Sequence, residues 1–170
     1  MGDLVRDKDA VISCAFIAEM AAYYKDKGSS LYEAMIHMYQ TYGFYKEELV
    51  SITKKGKTGA EEIKAMMERF RINPPASLGG SPVIQLRDYE QNKDTNVLSG
   101  SSKELGFPKS DVLQFITADG SVISARPSGT EPKIKFYCSV NTPLKSKADF
   151  KSTDTFLTDK IKVIMAELQS

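Results

Sequence analysis

The fold of this chain is set by residues 112–140, which read VLQFITADGSVISARPSGTEPKIKFYCSV. Two apolar runs, Val112 to Thr117 and Ser121 to Ala125, flank Ala118-Asp119-Gly120. Asp-Gly between apolar runs is a strong signal for a β-hairpin, because glycine supplies the positive φ that tight hairpin turns require. Lys133 to Val140 then predicts a third strand. The sequence therefore predicts an antiparallel sheet in which a short loop, Arg126 to Lys133, joins the second strand to the third.

This loop carries the residue types that hold a phosphate group. Arg126 offers a planar guanidinium that matches phosphate oxygens bidentately. Ser128 and Thr130 can donate hydroxyl hydrogen bonds to the same oxygens, and Gly129 lets the backbone approach closely with its N–H exposed. The two prolines restrict the backbone, so little ordering is needed when an anion binds. An ordinary turn is the alternative, because proline, serine and glycine are common turn residues.

The two charged residues at the end of the loop have different expected roles. A carboxylate repels phosphate, so Glu131 is expected to pair with Lys133 or Lys135, or to order the loop. Lys133 could add a distal positive charge to the site, and a solvated lysine is the alternative.

Three further titratable residues are assigned structural roles. Turn chemistry and capping explain Asp88 and Asp119 more simply than catalysis does. His37 is the one histidine of the chain, and the sequence places no nucleophile or carboxylate partner beside it.

The string Arg-Pro-Ser-Gly-Thr-Glu-Pro-Lys at 126–133, followed by Ile-Lys-Phe-Tyr, resembles the C-terminal phosphate-binding loop of the phosphohexomutases, the phosphoglucomutase and phosphomannomutase superfamily. The resemblance implies the fold of their small C-terminal domain, often compared with the TATA-binding-protein fold. It also implies that this loop holds the substrate phosphate that is not reacting, through Arg126, Ser128, Gly129, Thr130 and, as a further contact, Lys133. Residues 6–11 and 19–24 similarly resemble the last part of the third domain of those enzymes.

Composition and charge exclude several classes of function. Of the 170 residues, 41% are hydrophobic and 26% are charged, as in soluble globular proteins. The net charge of +1 lacks the basic excess that nucleic acids or anionic membranes attract. The N-terminus lacks the apolar run of a signal peptide, so a cytoplasmic protein is expected. Cys14 and Cys138 are expected to be reduced, buried thiols, and a disulfide between them is the alternative. Two cysteines with one histidine make no convincing zinc site.

The helix predicted from Asp9 to Lys27 is apolar nearly all round. Only two residues between Ala10 and Tyr24 are clearly polar, and such a helix must be buried on several sides. It is too short to span a bilayer. A second helix begins at the capping box Ser30-Leu31-Tyr32-Glu33 and stops at Gly43. Because two helices alone cannot cover the first one, residues 1–44 are interpreted as the helical tail of a larger, truncated α/β domain.

Residues 45–170 predict a second domain. It begins with a strand at Tyr45 to Lys54, and the segment from Tyr45 to Gly56 is also a candidate hinge. A capping box at Thr58-Gly59-Ala60-Glu61 opens a helix with an apolar stripe. The rest of the domain comprises a strand at Val83 to Leu86, a surface excursion at Gln91 to Lys109, the three strands described above and a last helix at Asp154 to Gln169. This order predicts a two-layer α+β domain, with a mostly antiparallel sheet and helices on one face.

The resemblance implies a parent enzyme that interconverts hexose 1-phosphate and hexose 6-phosphate through a bisphosphate intermediate. Such enzymes use a phosphoserine in a Thr-Ala-Ser-His-Asn-Pro-like loop and Mg²⁺ in an Asp-Gly-Asp-x-Asp-Arg-like loop. Neither motif occurs in this sequence, so the chain alone is expected to be inactive, with no catalytic or metal-ligating residue. The implied substrate is a glucose or mannose 1- or 6-phosphate. The longer string through Tyr137 favours the glucose or pentose phosphate branch, and a phosphopentomutase-type parent is an alternative.

A non-catalytic module that binds phosphate or another protein is the rival interpretation. Its partner surface would be the apolar helix at residues 10–24. A severed fragment should instead self-associate through that helix. Nucleic-acid binding, suggested by the fold comparison, lacks both a basic excess and stacked aromatic residues.

Overall fold

The computed structural model describes residues 8–54 and 56–169. The chain divides into two compact units. The first runs to Gly43 and includes residues 143–150, and the second comprises residues 44–142 and the chain from Lys151 onward. Residues 1–7, which the predicted first domain includes, lie outside the described residues. No helix in the described ranges is long and apolar enough to cross a membrane.

The first unit contains two α-helices, α1 (Ala10–Asp26) and α2 (Leu31–Tyr42). Asp9 caps α1 by accepting a hydrogen bond from the amide of Ile12 at 2.9 Å. Ser30 caps α2 in the same way, with its hydroxyl 3.2 Å from the amide of Glu33. Gly43 ends α2 with a φ of 98°, which agrees with the glycine stop signal.

Residues 143–150 complete the first unit. They form a 3₁₀ turn at Lys147–Asp149. The ring of Phe150 lies edge-on to that of Tyr32, with 5.9 Å between centroids. Lys147 Nζ lies 3.0 Å from a carboxylate oxygen of Glu33. These contacts hold the segment against the start of α2.

Helix α1 has no buried residue. Its large apolar side chains are between 37% and 80% exposed, namely Val11, Ile12, Phe16, Ile17, Met20 and Tyr23. The sequence predicts burial for such a helix, and the described chain supplies no cover for it. The expected burial of Cys14 is wrong for the same reason, because this thiol is exposed, whereas Cys138 is buried as expected.

The second unit is built on an antiparallel sheet of eight strands. In chain order they are β1 (Phe44–Thr53), β2 (Ser77–Leu78), β3 (Ser81–Asp88), β4 (Lys93–Asn96), β5 (Ser102–Glu104), β6 (Leu113–Thr117), β7 (Val122–Pro127) and β8 (Lys133–Thr142). Their spatial order is β1-β8-β7-β6-β3-β4-β5, with β2 paired to β3 off this path. The predicted hairpin is the β6–β7 pair, and its turn contains Gly120 with a φ of 82°.

Two helices, α3 (Gly56–Ile72) and α4 (Phe150–Gln169), cover one face of this sheet. Phe115 of β6 and Phe136 of β8 point to that face and are fully buried. Phe70 of α3 packs edge-on against both rings, with centroid separations of 5.6 and 6.5 Å. The stripe predicted for the last helix is buried too, namely Leu157, Ile161, Ile164, Met165 and Leu168. The observed architecture is the predicted two-layer α+β fold.

Several details predicted for the second unit are wrong. Helix α3 begins at Gly56, before the predicted capping box at Thr58, and α4 begins at Phe150. The excursion predicted at Gln91 to Lys109 contains β4 and β5, which extend the sheet beyond β3. These strands escaped detection because they are short and polar and show no apolar alternation. The strand predicted at Tyr45 to Lys54 is confirmed as β1, which pairs with β8 along its whole length, and the hinge at Tyr45 to Gly56 stays a prediction.

Candidate functional site

The predicted phosphate loop connects β7 to β8. Arg126 and Pro127 are the last residues of β7, and Lys133 is the first residue of β8. The amide of Ser128 donates to the carbonyl of Lys133 at 2.7 Å and closes the turn. The amide of Thr130 donates to the hydroxyl of Ser128 at 3.4 Å. The loop is therefore a short, internally bonded connection at the end of two long strands.

The side chains predicted to bind phosphate are accessible. Arg126, Gly129 and Thr130 are exposed, whereas Ser128 and Lys133 are half-buried. A Cβ atom added to Gly129 would meet nothing within 4 Å. The space beside this residue is therefore open, and a ligand can approach the backbone there without displacing a side chain. The fold brings all five predicted residues into one exposed loop.

Positive charge is concentrated beside the loop. Arg126 lies directly opposite Lys135 in the β7–β8 ladder. Like charges in this arrangement destabilise a sheet, so an anion held between them would relieve their repulsion. Neither cation has an ion-pair partner within 4.0 Å among the residues that the structure describes. Lys135 was not among the predicted contacts, although the alternation of β8 places it on the same face as Lys133.

Glu131 orders the loop through its backbone. Its carbonyl accepts a hydrogen bond from the amide of Lys133 at 2.7 Å. Its exposed carboxylate forms no ion pair with Lys133 or Lys135 in the described chain, so the expected pairing is wrong. The carboxylate sits on the exposed turn, and a solvated ion pair there would gain little.

The loop is tied to the start of the second unit by its backbone. Lys54, the residue after β1, donates its amide to the carbonyl of Pro132 at 2.8 Å. A cavity of 240 Å³ separates the loop from the first turns of α3. Ala60 and Lys64 line it from α3, and Ser128 and Gly129 line it from the loop. Main-chain bonding, more than side-chain packing, therefore fixes this side of the loop.

Asp88 has the structural role predicted for it. Its Oδ1 atom accepts hydrogen bonds from the amides of Glu90 and Gln91 at 3.0 and 3.1 Å. Its Oδ2 atom accepts from Arg71 Nε at 3.0 Å. Arg71 also donates to Asp111, so one guanidinium joins the end of α3 to two segments of the sheet. The structure leaves no free carboxylate at Asp88 for chemistry.

Asp119 is structural as well, but with a partner that the sequence does not indicate. Lys160 of α4 is buried, and its Nζ lies 2.6 Å from Asp119 Oδ2 and 2.8 Å from Ser121 Oγ. Burial by itself raises the pKa of Asp119, but the hydrogen bond from Lys160 and those from its own hairpin outweigh burial and hold that pKa far below its usual range. The other candidate set aside, His37, is exposed on α2.

The region that contains this loop is similar to proteins of a known family. Residues 77–145 match the family model described as phosphoglucomutase/phosphomannomutase, C-terminal domain. A phosphoglucomutase of Staphylococcus aureus (strain bovine RF122 / ET3-1) is 38% identical over 139 residues, and that of Staphylococcus haemolyticus is 34% identical over 139 residues. Each alignment covers 82% of this chain and 25% of the relative. The chain thus spans about a quarter of the length of these curated relatives.

A solved structure has a similar fold. The open form of the exocytosis-sensitive phosphoprotein pp63/parafusin, a phosphoglucomutase from Paramecium, aligns with a TM-score of 0.57 at 17% sequence identity. The alignment covers 98% of this chain and 28% of that one. At this identity the likeness concerns the fold alone.

Proposed function

Because residues 77–145 of this chain match the C-terminal domain of the phosphoglucomutase and phosphomannomutase family, we propose that the complete protein interconverts hexose 1-phosphate and hexose 6-phosphate through a bisphosphate intermediate. In this proposal the loop at residues 126–130 binds the substrate phosphate that is not reacting. Arg126, Ser128, Gly129 and Thr130 make the contacts, and Lys133 adds charge from the start of β8. All five lie within the matched region.

One observation carries the assignment of the loop. Two cations without an ion-pair partner in the described chain, Arg126 and Lys135, face each other beside an accessible turn that offers hydroxyls and free backbone. A phosphate dianion matches this arrangement, since the guanidinium can bind two of its oxygens at once. The rigid ends of β7 and β8 hold the donors in place before the ligand arrives, which lowers the entropy cost of binding.

The chemistry of phosphate transfer is assigned to other parts of the complete protein. The chain spans about a quarter of the curated relatives, and neither the phosphoserine loop nor the Mg²⁺ loop implied by the family occurs in it. Among the described residues, no group of three or more His, Cys, Asp or Glu side chains could hold a metal ion. The described residues therefore do not fit Mg²⁺, and no step of the proposal uses a metal in this chain. We expect the chain alone to be inactive.

The domain division follows from the same proposal. We assign residues 1–44 to the end of a larger α/β domain, because α1 is apolar nearly all round and yet exposed. We assign residues 45–170 to the C-terminal phosphate-binding domain, although residues 143–150 belong to the first compact unit of the structure. Glucose phosphates are the preferred substrate class, in keeping with the phosphoglucomutases that the chain resembles. A cytoplasmic location fits an enzyme of phosphorylated sugars, which do not cross membranes unaided.

The second candidate is a phosphate-binding module without catalysis that docks another protein through α1. The exposed apolar residues of that helix favour it. Sedimentation of the chain distinguishes the two proposals. A specific monomer or dimer supports the module, whereas open-ended association supports a severed domain surface.

Titration of the ¹⁵N-labelled chain with glucose 1-phosphate tests the loop directly. The amides of Ser128, Gly129 and Thr130 should shift in a saturable way. Arg126→Ala should weaken binding by about 1.5–3 kcal/mol, the range for a hydrogen bond to a charged group. Arg69→Ala removes an exposed guanidinium from α3 and should leave binding unchanged. Loop signals that stay in place at saturating ligand would refute the proposal.

A further inference from the structure

The first turn of α3 folds back onto the backbone of Lys54. Gly59 is buried there, and a Cβ atom added to it would lie 2.6 Å from the carbonyl oxygen of Lys54 and 2.7 Å from its carbonyl carbon. Separations under 3.0 Å are essentially never adopted by real Cβ atoms. Gly59 is not among the residues with positive φ, so the close approach alone requires glycine. Any side chain at this position must move either Lys54 or the helix.

Lys54 is also an anchor of the loop. Its amide donates to the carbonyl of Pro132 at 2.8 Å, one residue beyond the last pair of the β1–β8 ladder, Thr53 with Lys133. The 240 Å³ cavity between the loop and α3 leaves little side-chain packing to replace this bond. A shift of Lys54 is therefore transmitted to the end of the loop.

We propose that Gly59 is a positioning residue for phosphate binding, acting through Lys54 on the loop at residues 126–132. This inference rests on the function proposed above. Gly59 touches no ligand. It permits α3 to pack so closely on Lys54 that the Lys54–Pro132 bond holds the loop donors in their binding geometry. Alanine stabilises a helix more than glycine does. Helix propensity alone would therefore not weaken binding in Gly59→Ala, and a loss of binding would point to the close contact with Lys54.

Two substitutions interrupt the proposed path at different points. Gly59→Ala introduces the clash, and Lys54→Pro removes the N–H that bonds to Pro132. Lys54→Ala is the matched control, because it keeps the N–H and removes only the ion pair with Glu62, at 3.2 Å. Ala65→Gly is the control for helix stability, since it weakens α3 at an exposed position away from Lys54.

The measurement is the affinity of each variant of the 170-residue chain for glucose 1-phosphate, with amide hydrogen exchange at residue 54. Gly59→Ala and Lys54→Pro should bind about tenfold more weakly, since a hydrogen bond to a charged group that is lost through misplacement weakens binding by about one to two orders of magnitude. Both controls should bind as the unmodified chain does. Exchange at Lys54 should accelerate in Gly59→Ala and stay slow in Ala65→Gly. If Gly59→Ala does not fold, the difference in glucose 1-phosphate affinity between Lys54→Pro and Lys54→Ala tests the positioning role.

Two outcomes overturn the inference, and they are distinguishable. If the unmodified chain binds and either Gly59→Ala or Lys54→Pro binds equally well, the positioning role is wrong and the proposed function stands. If the unmodified chain does not bind glucose 1-phosphate, the proposed function fails and the inference fails with it.

Discussion

Replacing Asp119 with alanine tests the buried ion pair that joins α4 to the β6–β7 hairpin. The Lys160 side chain is 7% exposed, and the mutation removes the carboxylate oxygen that lies 2.6 Å from its Nζ. Loss of one partner of a buried pair costs about 3–5 kcal/mol. The side chain of Asp119 is 38% exposed, so water reaches that end of the pair and lowers the cost. We therefore expect about 2–3 kcal/mol of destabilisation.

The same helix supplies a matched control. Asp159 pairs with Lys162 at 2.8 Å, and the two side chains are 60% and 70% exposed. Asp159→Ala should leave the free energy of unfolding nearly unchanged, because ion pairs between exposed side chains contribute little. Urea unfolding of both variants at pH 7, followed by circular dichroism, measures the difference. Equal destabilisation by Asp119→Ala and Asp159→Ala would refute the reasoning that burial makes Lys160 dependent on its partner.

The pH dependence of the Asp119 effect has a definite sign. The pKa of Asp119 is lowered in the folded chain, so the unfolded state binds the proton more readily. The stabilisation is then complete above the ordinary aspartate pKa of about 3.9 and is lost as the pH falls below it. The stability gap between the unmodified chain and Asp119→Ala should narrow between pH 5 and pH 3. A gap that widens over this range would contradict the assignment.

Three further predictions concern other parts of the chain. Cys14 is exposed, whereas burial raises the pKa of Cys138 to about 12. A thiol reagent at pH 8 should therefore label Cys14 rapidly and Cys138 slowly. Rapid labelling of both cysteines in the folded chain would contradict this expectation. Phe115→Ala should lower the free energy of unfolding by about 3–5 kcal/mol in urea, because the ring is fully buried against Phe70. A smaller loss would show that neighbouring side chains move in to fill the cavity. Arg71→Ala should cost about 3 kcal/mol in urea unfolding, because the nearly buried carboxylate of Asp88 then loses its charged partner. Arg71→Lys should recover only part of the lost stability. Full recovery would show that a positive charge alone is sufficient at this position.

The strands and helices with strong apolar periodicity were predictable from sequence. The β6–β7 hairpin follows from Asp119-Gly120, and α4 follows from its apolar stripe, because burial of a continuous face dominates these elements. Strands β4 and β5 were not predictable in the same way. They lie at one end of the sheet, where β4 pairs with β3 and β5 pairs with β4, and this pairing stabilises polar segments that have no periodicity of their own.

The residues of the candidate site were predictable as a group, and their surroundings were not. The loop at Arg126 to Lys133 is short, so its own residue types indicate its chemistry. Lys135 enters the site through the register of β7 and β8, which no local pattern specifies. The pairing of Lys160 with Asp119 and the contact of Gly59 with Lys54 likewise join segments that only the tertiary fold brings together.

The β1–β8 ladder has a consequence for biosynthesis. Phe44 pairs with Thr142 and Thr53 with Lys133. Strand β1 is synthesised first and β8 last, so their ladder cannot form until β8 has left the ribosome. Until then β1 has no partner strand, and the longest ladder among the described strands is missing. Its run of Lys46, Glu47 and Glu48 discourages premature pairing with other nascent chains. The loop proposed to bind phosphate ends at this late ladder, so it should be among the last parts of the unit to fold.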